Sequence, residues 1–175
     1  MRRITSVFAV LLVSLAAYAQ GSIPILDRVP GHRVQFHYTY SIAKDGRPMT
    51  QVTDGDVTVE DNSFLLSGLG LEVRSDGTTR WSVDRDAEEV LIETVEKEDI
   101  FTNPALFITS YRSHMDRIKV NSSSQDSLDV TLILDDNTSA RFVLKDIRFL
   151  DRKGKSDFTL DVKSLSSSYV VTDLR

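Results

Sequence analysis

The chain has 175 residues, with 21 basic residues against 26 acidic ones, a net charge of −5 and no cysteine. That length suits one ordinary domain, and an acidic balance without a basic stripe argues against nucleic acid or an anionic lipid surface as partner. Without cysteine there is no disulfide and no thiol nucleophile, so stability has to come from one extensive hydrophobic interior.

The chain opens with Met1-Arg2-Arg3, an apolar stretch from Ile4 to Ala17 and the small-x-small triplet Ala17-Tyr18-Ala19. This is the pattern of a secretory signal peptide over residues 1–19, cleaved near Ala19-Gln20. The apolar stretch falls short of the ~20 residues that span a bilayer. Cleavage takes away Arg2 and Arg3, moves the net charge to −7 and leaves one domain over residues 20–175. That domain is expected as a soluble monomer in the periplasm of a bacterial envelope.

Val34 to Ile42 alternates with period two, placing Val34, Phe36, Tyr38, Tyr40 and Ile42 on one face of a strand. Asp45-Gly46 makes a turn into a second strand, Gln51 to Val59, whose Val57 and Val59 share a face. Phe64-Leu65-Leu66 and Leu69 to Arg74 follow, with Gly68 and Gly70 marking a bend or bulge between them. Thr79 to Val83, carrying Trp81, pairs with Val90 to Val95 across Asp84-Arg85-Asp86-Ala87.

Asn103-Pro104 interrupts the pattern: Asn suits a helix N-cap and Pro the first turn, so a short helix is predicted from Pro104 to about Arg112. Further strands are predicted at Leu128–Leu134, Ala140–Leu144, Ile147–Leu150, Phe158–Val162 and Tyr169–Asp173. Many short strands with one helix imply a mainly β protein built on a large, curved antiparallel sheet, not βαβ units. The inner face of such a sheet is filled either by its own side chains and the helix or by an apolar ligand. Periodicity alone leaves both open.

Catalytic signals are sparse. No Gly-x-Ser-x-Gly elbow occurs, and His32, His37 and His114 are scattered without metal-ligand spacing. Asp84 to Glu88 lacks the glycine of a calcium loop, and Gly68-Leu69-Gly70 is too short to cradle a phosphate. The chain is therefore read as a non-enzyme without metal or cofactor; a hydrolase would need His37 or His114 set against a Ser and an Asp in a polar cleft.

A collinear series carries a family likeness: Phe36 and Tyr38, Asp45-Gly46, Gly55 to Val59, Phe64-Leu65-Leu66, Ser75-Asp76-Gly77-Thr78-Thr79-Arg80-Trp81, Val83-Asp84, Glu89-Val90, Asn103 to Phe107, and the ending Val170 to Arg175. In these residues the chain resembles LolA, the periplasmic carrier of outer-membrane lipoproteins, and especially its shorter Bacteroidetes relatives. The resemblance implies an incomplete, unclosed β-barrel whose apolar concave face, lidded by helix, shields lipoprotein acyl chains. It also implies an inner-membrane complex that releases cargo and an outer-membrane acceptor. With the alternation it nominates a groove of Phe36, Tyr38, Tyr40, Val57, Val59, Phe64, Leu66, Leu71, Val73, Trp81, Val83, Leu106 and Phe107. The alternative within the same fold is a module that senses envelope lipid or lipoprotein without transferring it. Three family features are altered here. The lid helix before the first strand is reduced to Gln20–Arg33, Phe64-Leu65-Leu66 supplies no arginine to hold the lid, and the stretch before the last strand shrinks to Ser166-Ser167-Ser168.

Overall fold

The computed structural model describes residues 21–68, 70–95, 100–101 and 103–175; the expected signal peptide lies outside them. Among these residues ten strands form a single sheet: β1 (Arg33–Lys44), β2 (Thr50–Glu60), β3 (Ser63–Gly68), β4 (Leu71–Ser75), β5 (Thr79–Asp84), β6 (Glu89–Thr94), β7 (Ile118–Ser123), β8 (Leu128–Ile133), β9 (Thr138–Leu150) and β10 (Val170–Asp173). Among the described residues one α-helix, α1 (Pro104–Ser110), stands between β6 and β7. The strand order is β10-β6-β5-β4-β3-β2-β1-β9-β8-β7, antiparallel throughout except for the parallel β6–β10 pair. β7 and β10 end the order without pairing each other, so the barrel is unclosed. Register shifts in β1 against both neighbours supply the local bends that curl a sheet of this width.

Register assigns every side chain to a face. Tyr38 lies opposite Leu144, which lies opposite Leu128; Tyr40, Phe142 and Val130 form the next row, and Ile42, Ala140 and Leu132 the next. On the other flank of β1, Val34 faces Val59 and Phe36 faces Val57. All of these residues but Ile42 are buried. Onto this inner face fold Ile23, Ile25, Leu26 and Val29 from the segment before β1, and Ala105, Phe107 and Ile108 from α1. The Phe142 ring is the centre of the packing, with the Tyr40 and Phe107 ring centroids at 5.1 and 5.4 Å. Helix α1 starts where the sequence places it, the Asn103 side chain accepting the N–H groups of Ala105 and Leu106. It ends at Ser110, two residues earlier than predicted, and passes into a 3-10 segment, Tyr111–Arg117, broken by the non-helical His114.

After β9 the chain turns back across the outer face as a strap. Arg33, only 2% exposed, holds it there: its Nε donates to Glu60 at 2.8 Å, Nη1 to Asp157 at 2.6 Å and Nη2 to the Gly154 carbonyl at 2.9 Å. Glu60 also accepts the N–H groups of Lys153 and Gly154, and the buried Phe158 ring lies over the Arg33 guanidinium. The strap then lays Leu160, Val162, Leu165 and Tyr169 over Trp81, Val83, Val90 and Ile92 before it joins the sheet as β10.

Three strand predictions change. Phe158–Val162 is not extended, because the strap crosses the strands and bends through 3-10 turns at Lys155–Phe158 and Val162–Ser164. Ala140–Leu144 and Ile147–Leu150 are one strand, β9, with the break between them reduced to Asp146 at φ 54°. β7 has no counterpart in the sequence reading, since its residues are largely exposed and offer no apolar alternation.

Candidate functional site

The inner face is uneven, and the unevenness is the candidate site. One row of directly opposed residues runs Phe36, Val57, Leu66, Val73, Ser82, Leu91, Thr172 across seven strands. Phe36 and Val57 are sealed at 3% and 2% exposure, Leu66, Val73, Ser82 and Leu91 are half-buried, and Thr172 is exposed. A parallel row runs Leu71, Asp84, Glu89, Val170, with Leu71 46% and Val170 60% exposed. Leu174 follows on the same side by alternation at 64%. The inner face is therefore a filled trough over β1, β2, β8 and β9, continuing into an open shelf over β4, β5, β6 and β10, where Leu71, Val73, Leu91, Val170 and Leu174 are interspersed with the polar Ser82, Asp84, Glu89 and Thr172. Across the shelf Arg80 also pairs with Glu93 at 2.6 Å.

Thirteen residues were nominated for this groove from the sequence. Phe36, Tyr38, Tyr40, Val57, Val59, Phe64 and Phe107 lie together in the filled trough, buried against α1 and the segment before β1. Leu66, Val73 and Leu106 stand half-buried at the margin of that packing, and Leu71 stands on the shelf. Trp81 and Val83 do not belong with them. Trp81 lies opposite Arg74, which lies opposite Leu65, so its ring points to the outer face beneath the strap, as does Val83 opposite Glu72. Leu91, Val170 and Leu174 complete the shelf and were absent from the sequence list. Leu91 carried a signal there, alternating with Val90 and Ile92; the edge strand offered too few residues to give one.

The lid over the trough is fastened at one carboxylate. Asp27 accepts hydrogen bonds from the Ser22 hydroxyl at 2.5 Å, the Tyr111 hydroxyl and the Arg112 guanidinium. It thereby joins the segment before β1 to the chain leaving α1. The Ser22 and Tyr111 hydrogen bonds, helped by Arg112, hold the Asp27 carboxyl below its usual range. Burial, followed by the Asp27 hydrogen bond, pushes the Tyr111 hydroxyl up. Beside this junction a cleft of about 300 Å³ opens between Leu26, Val29, Pro30, Ile108 and the β2–β3 turn at Asp61-Asn62.

The histidines are engaged elsewhere. His37 sits on the outer face with Nδ1 3.2 Å from Asp56, His114 meets the Phe101 ring edge-on, and His32 Nδ1 lies 2.9 Å from the Arg28 carbonyl. Among the described residues no group of three or more His, Asp or Glu is placed to hold a metal ion.

No family model matches the chain, and no curated protein matches it. Among solved structures it is similar to a LolA superfamily protein from Nitrosomonas europaea. That pair is 11% identical with a TM-score of 0.47, covering 79% of this chain and 97% of that one. It is similar also to an uncharacterized conserved protein from Thermus thermophilus, 8% identical with a TM-score of 0.47, over 86% of this chain and 97% of that one. The architecture expected from the resemblance to LolA, an unclosed β-barrel with a helix seated on its inner face, is the one the chain adopts.

Proposed function

We propose that the protein is an exported, periplasmic carrier that binds the acyl chains of lipoproteins on its inner face, receives them from an inner-membrane release complex and yields them to an outer-membrane acceptor. One observation carries this: along one continuous row of side chains the inner face grades from a sealed apolar trough to an open shelf that still exposes Leu71, Val170 and Leu174 among polar residues. From Leu66 to Thr172 the row crosses four strand spacings, roughly 19 Å at ~4.8 Å each, room to lay out an extended acyl chain. Each methylene that leaves water there contributes about 0.8 kcal/mol, so binding needs no covalent step.

The trough is reached by moving α1. The helix has only seven residues, too few to be stable by itself, and is kept in place by packing, its Asn103 cap and the Asp27 junction. An acyl chain that enters the trough takes the place of α1 side chains, the half-buried Leu106 at its margin and the sealed Phe107 within it. A filled, fastened trough also favours a second reading, in which the shelf senses lipid and cargo is not passed on; transfer of a lipidated peptide between vesicles separates the two.

The test is binding of lipidated peptides and fatty-acid probes by the protein, alongside Val73→Glu and Leu91→Glu. Both substitutions sit on half-exposed shelf positions, so the fold tolerates them while a charge is placed under the ligand. Binding that is lost in both variants at unchanged melting temperature supports the proposal. It falls if the parent protein binds neither class of probe.

A further inference from the structure

The two ends of the sheet are treated differently. β7 carries Lys119, a row of exposed polar residues and a register shift, the devices that keep an edge strand from pairing with another chain. β10 has no lysine, no proline and no register shift, and it exposes Val170 (60%), Val171 (42%) and, just beyond it, Leu174 (64%). Its backbone is half used. The Val170 N–H donates to the Glu88 carbonyl and the Leu174 N–H to the Ile92 carbonyl. In a parallel pair alternate residues bond alternate sides, so Val171 and Asp173 turn their N–H and C=O groups away from β6.

We propose that this edge is the contact for a second copy of the same chain, β10 pairing antiparallel with its symmetry mate about a two-fold axis at Thr172. The backbone phase allows few registers, because only Val171 and Asp173 present free donors and acceptors. Centring the axis on Asp173 sets two carboxylates face to face, and centring it on Val171 brings Asp173 opposite Tyr169. Centring it on Thr172 joins Val171 to Asp173 of the mate twice, giving four hydrogen bonds. It also sets Val170 opposite Leu174 of the mate on the inner face, and Arg175 opposite Tyr169 of the mate on the outer. No like charges meet, and Val170 and Leu174 each gain an apolar partner. The inference does not need the lipid reading. Where that reading holds, the pairing joins two shelves into one.

So small a contact makes a weak dimer, formed in the micromolar-to-millimolar range and strengthened by salt, which screens the repulsion between two acidic chains. The absence of cysteine makes the register testable by cross-linking. At the two-fold axis the opposed Thr172 Cα atoms would stand about 4.5 Å apart, within the span of a disulfide. Under mild oxidation Thr172→Cys is expected to form covalent dimer at least ten times faster than Ser123→Cys on the β7 edge. Val171→Pro removes an outward N–H without touching a bond to β6, and combined with Thr172→Cys it should abolish that advantage while Trp81 fluorescence stays native. Equal cross-linking at the two edges would overturn the proposal, as would indifference to Val171→Pro. A chain that sediments as monomer throughout the concentration range and takes up an extended peptide on β10 would overturn it too.

Discussion

Phe107 offers the sharpest distinction between a trough that is merely a core and one that is a binding site. Its ring is fully buried and packs against Phe142 at a centroid distance of 5.4 Å. Phe107→Ala removes that contact and leaves a void, at a cost of about 3–5 kcal/mol. For a domain of this size each kcal/mol shifts the melting temperature by roughly 2–4 °C, so a fall of about 6–20 °C is expected. If the trough accepts acyl chains, the void should accept one more readily than the parent protein does. A lauroyl probe at a hundred times its dissociation constant would then restore about 2.7 kcal/mol, read as a rise of about 5–11 °C in differential scanning calorimetry. The parent, whose trough is occupied by its own phenylalanine, should shift less. A variant that melts early and ignores the probe would refute the reasoning, because the void would then be an ordinary core defect.

Three other perturbations follow from the outer face and the lid. Arg33→Met takes from buried Glu60 its nearest cation, leaving only Arg152 at 3.7 Å, and should cost about 3–5 kcal/mol, whereas Arg33→Met with Glu60→Leu should cost markedly less; a double loss equal to the sum of the two single losses in chemical denaturation would show that the pair is not coupled. Burial alone would raise the Glu60 pKa, but the Lys153 and Gly154 N–H groups and Arg33 outweigh it and hold the carboxyl below 4.5, while Arg33 likewise lowers Asp157. A depressed carboxylate stabilises the fold above its ordinary pKa and loses that contribution as pH falls through the lower folded value. The strap should therefore loosen below about pH 4.5, seen as a red shift of Trp81 emission ahead of global unfolding, and a constant spectrum down to the main transition would count against it. Asn103→Ala removes the cap of α1 at about 1 kcal/mol and should speed hydrogen exchange of Ala105 and Leu106 while raising probe affinity; slower exchange would contradict the lid role.

The sequence was informative wherever one face of a strand is apolar and the other is not. In β1 the alternation of Phe36, Tyr38 and Tyr40 identifies the inner face correctly, and Asn103-Pro104 marks the helix start. In β5 the same alternation misleads. Trp81 and Val83 are as apolar as Phe36, but they face outward, because a second layer, the strap, buries the outer side of that end of the sheet. Period two reports that one side of a strand is covered and not which side; only register through the intervening hairpins decides it. β7 and the strap were unreadable for the converse reason. An exposed edge strand and a chain crossing strands at an angle both lack the periodicity from which elements are recognised. The open shelf was invisible because it depends on where α1 comes to rest over the sheet.

The route of the strap also sets an order of assembly. β10 pairs with β6, so Val170 must find Glu89 after most of the chain between them has folded elsewhere. Contacts so distant in sequence are late and slow to form, and until they do, the β5–β6 hairpin presents Trp81, Val83, Val90 and Ile92 to water. A chain made from its N-terminus completes this edge of its sheet only after Val170 to Asp173 have emerged. Any factor that attends its folding would find its binding surface on that uncovered hairpin, and would lose it when Tyr169 closes over the tryptophan.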